Sequence, residues 1–272
     1  MALEYFYITN NPVVASACEK AGIDRIFIDM EYIGKSERQG GMDTVQNHHT
    51  VEDVKAVRSS ITKSKLLVRV NPIHDNSKEE IDEVIEAGAD FIMLPMWKSV
   101  DEVQKFFDIV QGRVKTVLLL ETDEAMKCLD DVLKLEAVDE IYIGLNDLHL
   151  SQNKKFMFEL YTDGTVDEIV SKLKSANVKF GIGGVGKVNC DNLIPAENIL
   201  CEHYRLGSSM VILARAFCDW TKCELAEFEQ IISKGVAENR KYEITLENKT
   251  QKFFNDKHKE TANIIEIIKA SR

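Results

Sequence analysis

Short apolar runs alternate with amphipathic stretches along most of this 272-residue chain. The runs are continuous rather than alternating between apolar and polar residues, which is typical of parallel strands covered on both faces. Strands are predicted at residues 5–8, 25–29, 65–70, 90–94, 115–120, 140–143, 179–182 and 208–213. Helices are predicted at 12–21, from 51 onward, at 77–87, 99–110, 123–135, 165–175 and 195–204, with further helical patterns from 221. Eight such units favour a TIM (β/α)8 barrel of the α/β class over a doubly wound open sheet.

The C-terminal part of the chain exceeds what one barrel requires. We predict a catalytic barrel domain over residues 1–235 and a C-terminal helical extension over residues 236–272. Four isoleucines between positions 264 and 268 form an apolar stripe in this extension. Such a stripe favours packing on the barrel or on a second subunit.

The chain is acidic, with 34 lysine and arginine residues against 45 aspartate and glutamate residues and a net charge of −11. That charge repels nucleic acids and anionic lipids, so it argues against binding to DNA or to a membrane surface. No run of 18 apolar residues is present, and the N-terminus lacks a signal-peptide pattern. The six cysteines include no C-x-x-C pair, which favours free thiols in a reducing cytoplasm over a structural zinc site.

Two carboxylates follow apolar runs directly, at the point where predicted strands end. Glu121 comes after the fifth strand, and Asp147 closes the short segment after the sixth. Side chains at the carboxyl ends of barrel strands lie at the same end of the barrel. Two carboxylates on neighbouring strands can therefore coordinate one divalent cation. The pair therefore predicts a Mg²⁺ or Mn²⁺ site, with ordinary acids in surface loops as the alternative.

Arg69 lies inside the apolar third strand, where an unpartnered guanidinium is costly to bury. It is a candidate catalytic cation for a substrate carboxylate or a developing enolate. The alternative is a structural salt bridge with Asp29 or Glu31, which end the second strand. Both acids are also candidate substrate-binding residues.

Further polar or flexible residues follow other predicted strands. His48 and His49 are candidate general bases or a solvated pair beside a helix start. Lys35 and Arg38 are candidate cations for an anionic substrate or exposed loop charges. The other candidate substrate-binding residues are Asn71, Gly144, Leu145, Asn146, Gly183, Gly184 and Arg215.

The glycine run at residues 181–186 has the form G-x-G-x-x-G. A dinucleotide site needs a helix to open directly after that pattern, and here several polar residues intervene. The run is therefore predicted to be a turn or a flexible loop over a substrate, with backbone N–H groups able to receive an anion.

Five motifs in barrel order resemble those of the HpcH/HpaI aldolase/citrate lyase family. Residues 21–31, AGIDRIFIDME, resemble its second-strand signature, which ends D-x-E. LVRVNP at 67–72 resembles the arginine-bearing third strand, and AGADFIMLP at 87–95 resembles the fourth. LLET at 119–122 and IGLNDL at 143–148 are similar to the two metal-binding motifs.

The resemblance implies a TIM barrel in which Glu121 and Asp147 hold a divalent cation and Arg69 binds the keto oxygen and stabilises an enolate. It further implies a carbon–carbon lyase acting on a pyruvate-like 2-keto acid and an aldehyde, and a homo-oligomeric assembly. The lysine and arginine after the second strand and the glycine run favour a polar acceptor, such as a sugar-derived aldehyde.

One departure from the family pattern concerns the general base. Family aldolases commonly carry histidine directly after the second-strand glutamate, and this chain has Tyr32 there. Two alternatives to the aldolase therefore stay open. The first is a citrate lyase-like lyase or hydrolase acting on an acyl-CoA or phosphorylated substrate, and the second is a barrel that binds a metabolite without catalysis.

Overall fold

A computed structural model of the chain describes residues 2–34 and 49–270. Parallel strands close into a barrel in sequence order, and the last strand pairs with the first. The strands are β1 (Glu4–Ile8), β2 (Arg25–Asp29), β3 (Lys65–Arg69), β4 (Phe91–Leu94), β5 (Lys115–Leu120), β6 (Glu140–Ile143), β7 (Lys179–Val185) and β8 (Met210–Leu213). The predicted eight-stranded TIM barrel is confirmed, and the open-sheet alternative is wrong because β1 and β8 are hydrogen-bonded.

Helices on the outside of the barrel cover the sheet. They are α1 (Pro12–Lys20), α2 (Val51–Ser60), α3 (Ser77–Glu86), α4 (Val100–Val110), α5 (Asp123–Val132), α6 (Leu145–Ser151), α7 (Thr165–Ser175), α8 (Ala196–Leu206), α9 (Leu225–Leu246) and α10 (Gln251–Ala270). Two 3₁₀ helices span Met157–Tyr161 and Trp220–Lys222. The sequence placed most helix starts correctly because polar caps mark them, such as the reciprocal capping box of Thr50 and Asp53 at α2.

Alternate residues of each strand point into the barrel, and this alternation builds its interior. The inner cluster of buried apolar side chains is Phe6, Phe27, Leu67, Met93, Val117, Leu119, Tyr142 and Met210. Two residues beyond Phe27, Leu67 and Leu119 along their strands come Asp29, Arg69 and Glu121. Because residues two apart on a strand face the same side, these polar side chains also point into the barrel, at its upper end and directly above the apolar layer.

Arg25 fills the opposite, lower end of the barrel. Its guanidinium donates to Glu140 at 2.6 and 2.8 Å and to Glu4 at 2.9 Å, and it is almost fully buried. The rings of Phe6 and Phe91 lie 4.7 and 3.9 Å from its central carbon. This ion cluster fills the lower end of the barrel, opposite the polar residues at the upper end.

Strands β7 and β8 change register between Gly181 and Gly184. The Tyr142 hydroxyl fills the irregularity: it donates to the Gly183 carbonyl at 2.6 Å and accepts the Ile212 N–H at 2.7 Å. An added methyl group on Gly181 would lie 2.5 Å from the Tyr142 ring. Glycine is therefore required where this large ring crosses the barrel interior.

The C-terminal helices pack on the barrel of their own chain. Glu243 of α9 is buried and accepts from the Leu3 N–H at 2.8 Å and from the Tyr5 hydroxyl. Arg240 of the same helix lies 3.7 Å from the Tyr5 ring, and α10 packs along α8. Because α9 runs through position 235, the predicted boundary between residues 1–235 and 236–272 falls inside a helix and stays a prediction. In the part of the chain that the structure describes, no helix is long and apolar enough to cross a membrane.

Replacing Arg25 with methionine tests how much the ion cluster at the lower end of the barrel contributes to stability. Arg25→Met leaves Glu140 in the barrel with Lys179 as its remaining cation, at 3.2 Å. We expect the free energy of unfolding to fall by about 3 kcal/mol, because removing one partner of a buried ion pair strands the other charge. Lys134→Met, which removes only an exposed pair with Asp131, should cost much less, because water screens that pair. Urea denaturation of both variants measures the difference, and equal losses would contradict this account of the ion cluster.

Candidate active site

A cavity of about 560 Å³ opens at the carboxyl ends of the strands. Its charged and amide lining comes from β2, β3, the end of β5, the start of α6 and the loop after β8. These residues are Asp29, Arg69, Glu121, Asn146, Asp147, Arg215 and Asp219. The structure thus brings together both predicted metal ligands and the predicted catalytic arginine in one concave site.

Arg69 is held by the two acids that end β2. Its Nε and Nη2 atoms donate to the two Asp29 carboxylate oxygens, both at 2.8 Å, and its Nη1 lies 3.3 Å from Glu31. The salt bridge that the sequence left as an alternative is therefore present. Arg69 still lines the cavity with 15% of its side chain exposed, so its guanidinium is fixed in position and remains accessible.

Burial alone would lower the pKa of the Arg69 guanidinium, but Asp29 and Glu31 raise it well above its ordinary value. Arg69 is therefore a permanent positive charge at this end of the barrel. Asp29 and Arg69 are register partners on neighbouring strands, which makes the pair a direct consequence of the β2–β3 ladder.

Glu121 points into the same cavity but is only 3% exposed. Its Oε1 accepts the backbone N–H of Met96 at 3.1 Å. Met96 has a φ of 53°, an uncommon left-handed conformation for a side-chain-bearing residue. Burial and the negative charges of Asp147 and Glu31 raise the pKa of the Glu121 carboxyl well above its usual range, and Arg69 opposes this.

Asp147 lies in the first turn of α6, which follows β6 after Gly144. An added methyl group on Gly144 would lie 3.0 Å from both Cβ and Oε2 of Glu121. Glycine therefore lets the start of α6 approach Glu121 closely. The predicted residues Leu145 and Asn146 also line the cavity, beside Asp147.

The residues present fit a divalent cation. Asp29, Glu31, Glu121 and Asp147 place four carboxylates near Arg69, and burial together with the charges of Asp147 and Glu31 raises the pKa of Glu121. Mg²⁺ is usually bound by one or two carboxylates together with water and substrate oxygens. Within residues 2–34 and 49–270, no group of three or more His, Cys, Asp or Glu side chains could hold a metal ion. Glu121 and Asp147 form a two-carboxylate set of the kind that Mg²⁺ uses.

His49 lies beside the end of β2, where its Nδ1 accepts the Asp29 N–H at 3.0 Å. With Nδ1 used as an acceptor, the neutral ring carries its hydrogen at Nε2. A general base acting through Nε2 would have to give up this bond, and the predicted role of His49 as a base stays a prediction. His48, Lys35 and Arg38 lie outside the described residues. Tyr32, which replaces the family's usual histidine, is 62% exposed.

The remaining predicted residues divide into two groups. Gly183, Gly184 and Arg215 line the cavity. Asn71 is buried and serves the backbone: its Oδ1 accepts the N–H groups of Tyr32 and Ile33, both at 3.0 Å. We therefore interpret Asn71 as a residue that holds the segment after β2, and its predicted substrate contact stays untested.

Sequence reasoning missed the apolar lining residues between β6 and α7 and in the loop after β8. Met157 and Phe158 of the first segment and Trp220 of the second line the cavity. The helix α6 is seven residues long, too short for its periodicity to be recognised, and Met157–Tyr161 is a 3₁₀ helix. The aromatic residues near position 158 were the available signal, because Phe156, Phe158 and Tyr161 form one ring cluster.

The sequence profile of the HpcH/HpaI aldolase/citrate lyase family matches residues 3–178, well over half of the chain. The chain therefore belongs to this family. The match covers β1 to β6 and the candidate metal ligands, and it stops before β7. No curated protein matches the chain.

Solved structures with the same fold include the HpcH/HpaI aldolase from Desulfitobacterium hafniense DCB-2, with 13% identity, a TM-score of 0.59, and 88% of this chain and 93% of that chain covered. A HpcH/HpaI aldolase/citrate lyase family protein from Burkholderia cenocepacia J2315 has 16% identity and a TM-score of 0.58, with coverage of 78% and 88%. Citrate synthase SbnG has 15% identity and a TM-score of 0.57, with coverage of 88% and 94%. At these identities the likeness shows the fold.

Adding one methyl group to Gly144 tests the close approach to Glu121. In Gly144→Ala, Glu121 has to move by a few tenths of an ångström, so we expect Mn²⁺ affinity to fall about tenfold. Gly184→Ala is the matched control, because a methyl group there meets its nearest atom at an ordinary 3.4 Å. Calorimetric titration of both variants with Mn²⁺ makes the comparison, and equal affinities would contradict a site at Glu121.

The raised pKa of Glu121 predicts a pH-dependent stability without metal. Unfolded glutamate ionises near pH 4.3 whereas folded Glu121 stays protonated to higher pH, so stability falls as pH rises through that window. Glu121→Gln removes this loss, and in EDTA it should be more stable than the parent chain by about 1 kcal/mol or more at about pH 8, with little difference below about pH 4, where the unfolded glutamate is also protonated. Exposed Glu83→Gln should change nothing in the same urea titrations. A uniform effect of Glu121→Gln at both pH values would refute the assignment.

Proposed function

We propose that this protein is a divalent-metal-dependent carbon–carbon lyase that acts on a 2-keto acid of the pyruvate type and an aldehyde. The observation that carries the proposal is the meeting of Glu121, Asp147 and Arg69 in one cavity at the carboxyl ends of the strands. Membership of the HpcH/HpaI aldolase/citrate lyase family supports a lyase with a small-molecule substrate.

Glu121 and Asp147 are the residues that would hold the cation. When bound, Mg²⁺ or Mn²⁺ supplies Lewis-acid polarisation of the keto acid. Glu121 has to be ionised to serve as a ligand, so its raised pKa makes metal affinity increase with pH. The N–H of Met96 fixes the orientation of the Glu121 carboxylate before the metal ion binds.

Arg69 binds the keto oxygen and stabilises the charge that develops on it. Its bidentate pair with Asp29 holds the guanidinium in one orientation. Arg69 is therefore preorganised, and no free energy is spent on reorienting it during the reaction. Glu31 and Asp29 offset part of its charge, which lets a carboxylate substrate enter and leave.

In the cleavage direction, the substrate is a 4-hydroxy-2-keto acid. The 4-hydroxyl loses its proton to a base, the C3–C4 bond breaks, and the carbonyl of the aldehyde forms. The electron pair of the broken bond passes into the enolate, whose oxygen faces Arg69, and protonation at C3 then gives the 2-keto acid. The aldol direction is the reverse of these steps.

We extend the proposal to the assembly and location of the protein. A cytoplasmic homo-oligomer whose C-terminal helices lie near the subunit contacts is the expectation from the family. Exposed apolar side chains on those helices, Ile244 and Ile267, support a contact there. Sedimentation velocity of the full chain and of Ile267→Lys tests it, and a monomer for the parent chain would refute it.

Three substitutions test the proposed reaction. Glu121→Gln and Asp147→Asn should each lower metal-dependent cleavage of a 4-hydroxy-2-keto acid by at least about a thousandfold, because each removes a ligand charge. Arg69→Lys should lower kcat by about a hundredfold, since a lysine cannot make the bidentate pair with Asp29. Pyruvate release and proton exchange at the pyruvate methyl group are the measurements.

Glu83→Gln is the control for charge and folding, because Glu83 is exposed on α3, away from the cavity lining. Activity that survives both EDTA and Glu121→Gln would contradict the metal-dependent lyase. Turnover of CoA esters with none of 4-hydroxy-2-keto acids would instead favour the acyl-CoA lyase. Tight pyruvate binding without turnover of any aldehyde would favour a binding protein.

A further inference from the structure

The cavity has a charged side and an apolar side. Asp29, Arg69, Glu121 and Asp147 come from β2, β3, β5 and the segment after β6. The apolar side follows the rest of the closed strand order, from the β6–α7 segment through β7 and β8 to β1. The apolar side chains there, together called the apolar arc, are Tyr7, Ile8, Met157, Phe158, Ile212, Leu213 and Trp220. Arg215, Asp219 and Thr221 line the cavity on the same side, from the loop after β8.

The polar tips of the tyrosines beside this arc are already bonded to the protein backbone. The Tyr7 hydroxyl donates to the Cys218 carbonyl at 2.8 Å, and the Tyr142 hydroxyl is used by Gly183 and Ile212. Both residues therefore present ring surface to the cavity. A substrate hydroxyl placed against this side would lose its water partners without gaining protein ones, which disfavours polyhydroxylated aldehydes.

Polar side chains in the loop after β8 are also bonded to neighbouring residues of the same loop. Asp219 accepts both the N–H and the hydroxyl of Thr221, at 3.1 and 2.6 Å, and lies 3.3 Å from Lys222. Phe158 is held in place by Tyr161, whose ring stacks on it at 6.3 Å, and by the edge of Phe156 at 5.2 Å. The arc is thus a preformed apolar wall rather than a set of mobile polar groups.

From this division we infer that the acceptor half of the substrate is an aldehyde with an aromatic or branched aliphatic body, and that Phe158 and Trp220 determine that specificity. The inference rests on the proposed lyase function and replaces the sugar-derived aldehyde that the sequence favoured. The keto acid occupies the charged side at Arg69 and Glu121, and the body of the aldehyde lies against the apolar arc. A distal charge on the aldehyde would reach the exposed Arg215.

A comparison of two aldehydes tests the inference. With pyruvate and Mn²⁺, kcat/KM for benzaldehyde should exceed that for glyceraldehyde by at least about tenfold, in the range that apolar pockets achieve. Phe158→Ala should lower kcat/KM for benzaldehyde about tenfold and leave that for glyceraldehyde within about threefold. Phe158→Leu should restore most of the loss because it keeps apolar volume. Preference for glyceraldehyde, or an equal loss for both aldehydes, would overturn the inference.

A metal-free binding experiment separates this inference from the lyase proposal. The chain has two tryptophans, Trp97 in the core and Trp220 in the arc, so ligand-induced changes of intrinsic fluorescence report on Trp220. Benzyl alcohol should change the emission saturably in the parent chain, glycerol should not, and Trp220→Phe should abolish the response. Phe253→Ala, which removes a half-buried ring outside the cavity, should respond like the parent chain. Saturable binding of benzyl alcohol without turnover of any aldehyde would contradict the lyase proposal alone. Absence of benzyl alcohol binding would overturn the inference about the aldehyde.

Discussion

The ion pair between Arg69 and Asp29 is the interaction on which the rest of the site depends. It joins neighbouring strands at register partners, so the geometry of the β2–β3 ladder sets the position of the guanidinium. Breaking a buried pair of this kind costs about 3–5 kcal/mol, because the remaining charge is stranded. The same pair keeps the Arg69 guanidinium fixed at the edge of the cavity that Glu121 and Asp147 also line. The Arg69 guanidinium thus serves two purposes at the same point: it pairs with Asp29 and it faces the proposed anionic substrate.

The barrel has one ion cluster at its lower end and a second one at the proposed active site. Arg25 with Glu140 and Glu4 fills the lower end, and the inner apolar layer lies between the two clusters. At the upper end, Arg69 is paired but still reaches the cavity, and Glu121 has its pKa raised by burial and by Asp147. Two arginines in the same barrel interior thus have different tasks, and the difference lies in solvent access rather than in residue type.

Much of this could be predicted from the sequence, for a physical reason. Continuous apolar runs and carboxylates directly after strands are local signals, so the eight strands were foreseen and the pairing of Arg69 with Asp29 or Glu31 was one of two alternatives that the sequence left open. The wall at Met157 and Phe158 was not foreseen, because a seven-residue helix and a 3₁₀ turn have no clear period. The bond from the Asp29 N–H to His49 and the backbone role of Asn71 depend on tertiary contacts that no local pattern encodes.

The most direct test of the account is a crystal structure of the protein soaked with Mg²⁺ and oxalate, a stable mimic of the pyruvate enolate. We expect a cation bound by both Glu121 and Asp147, with oxalate on that cation and an oxalate oxygen hydrogen-bonded to Arg69. Arg69 should keep its bidentate pair with Asp29. A cation bound elsewhere, or oxalate bound away from Arg69, would contradict the central claim that these three side chains form one active site.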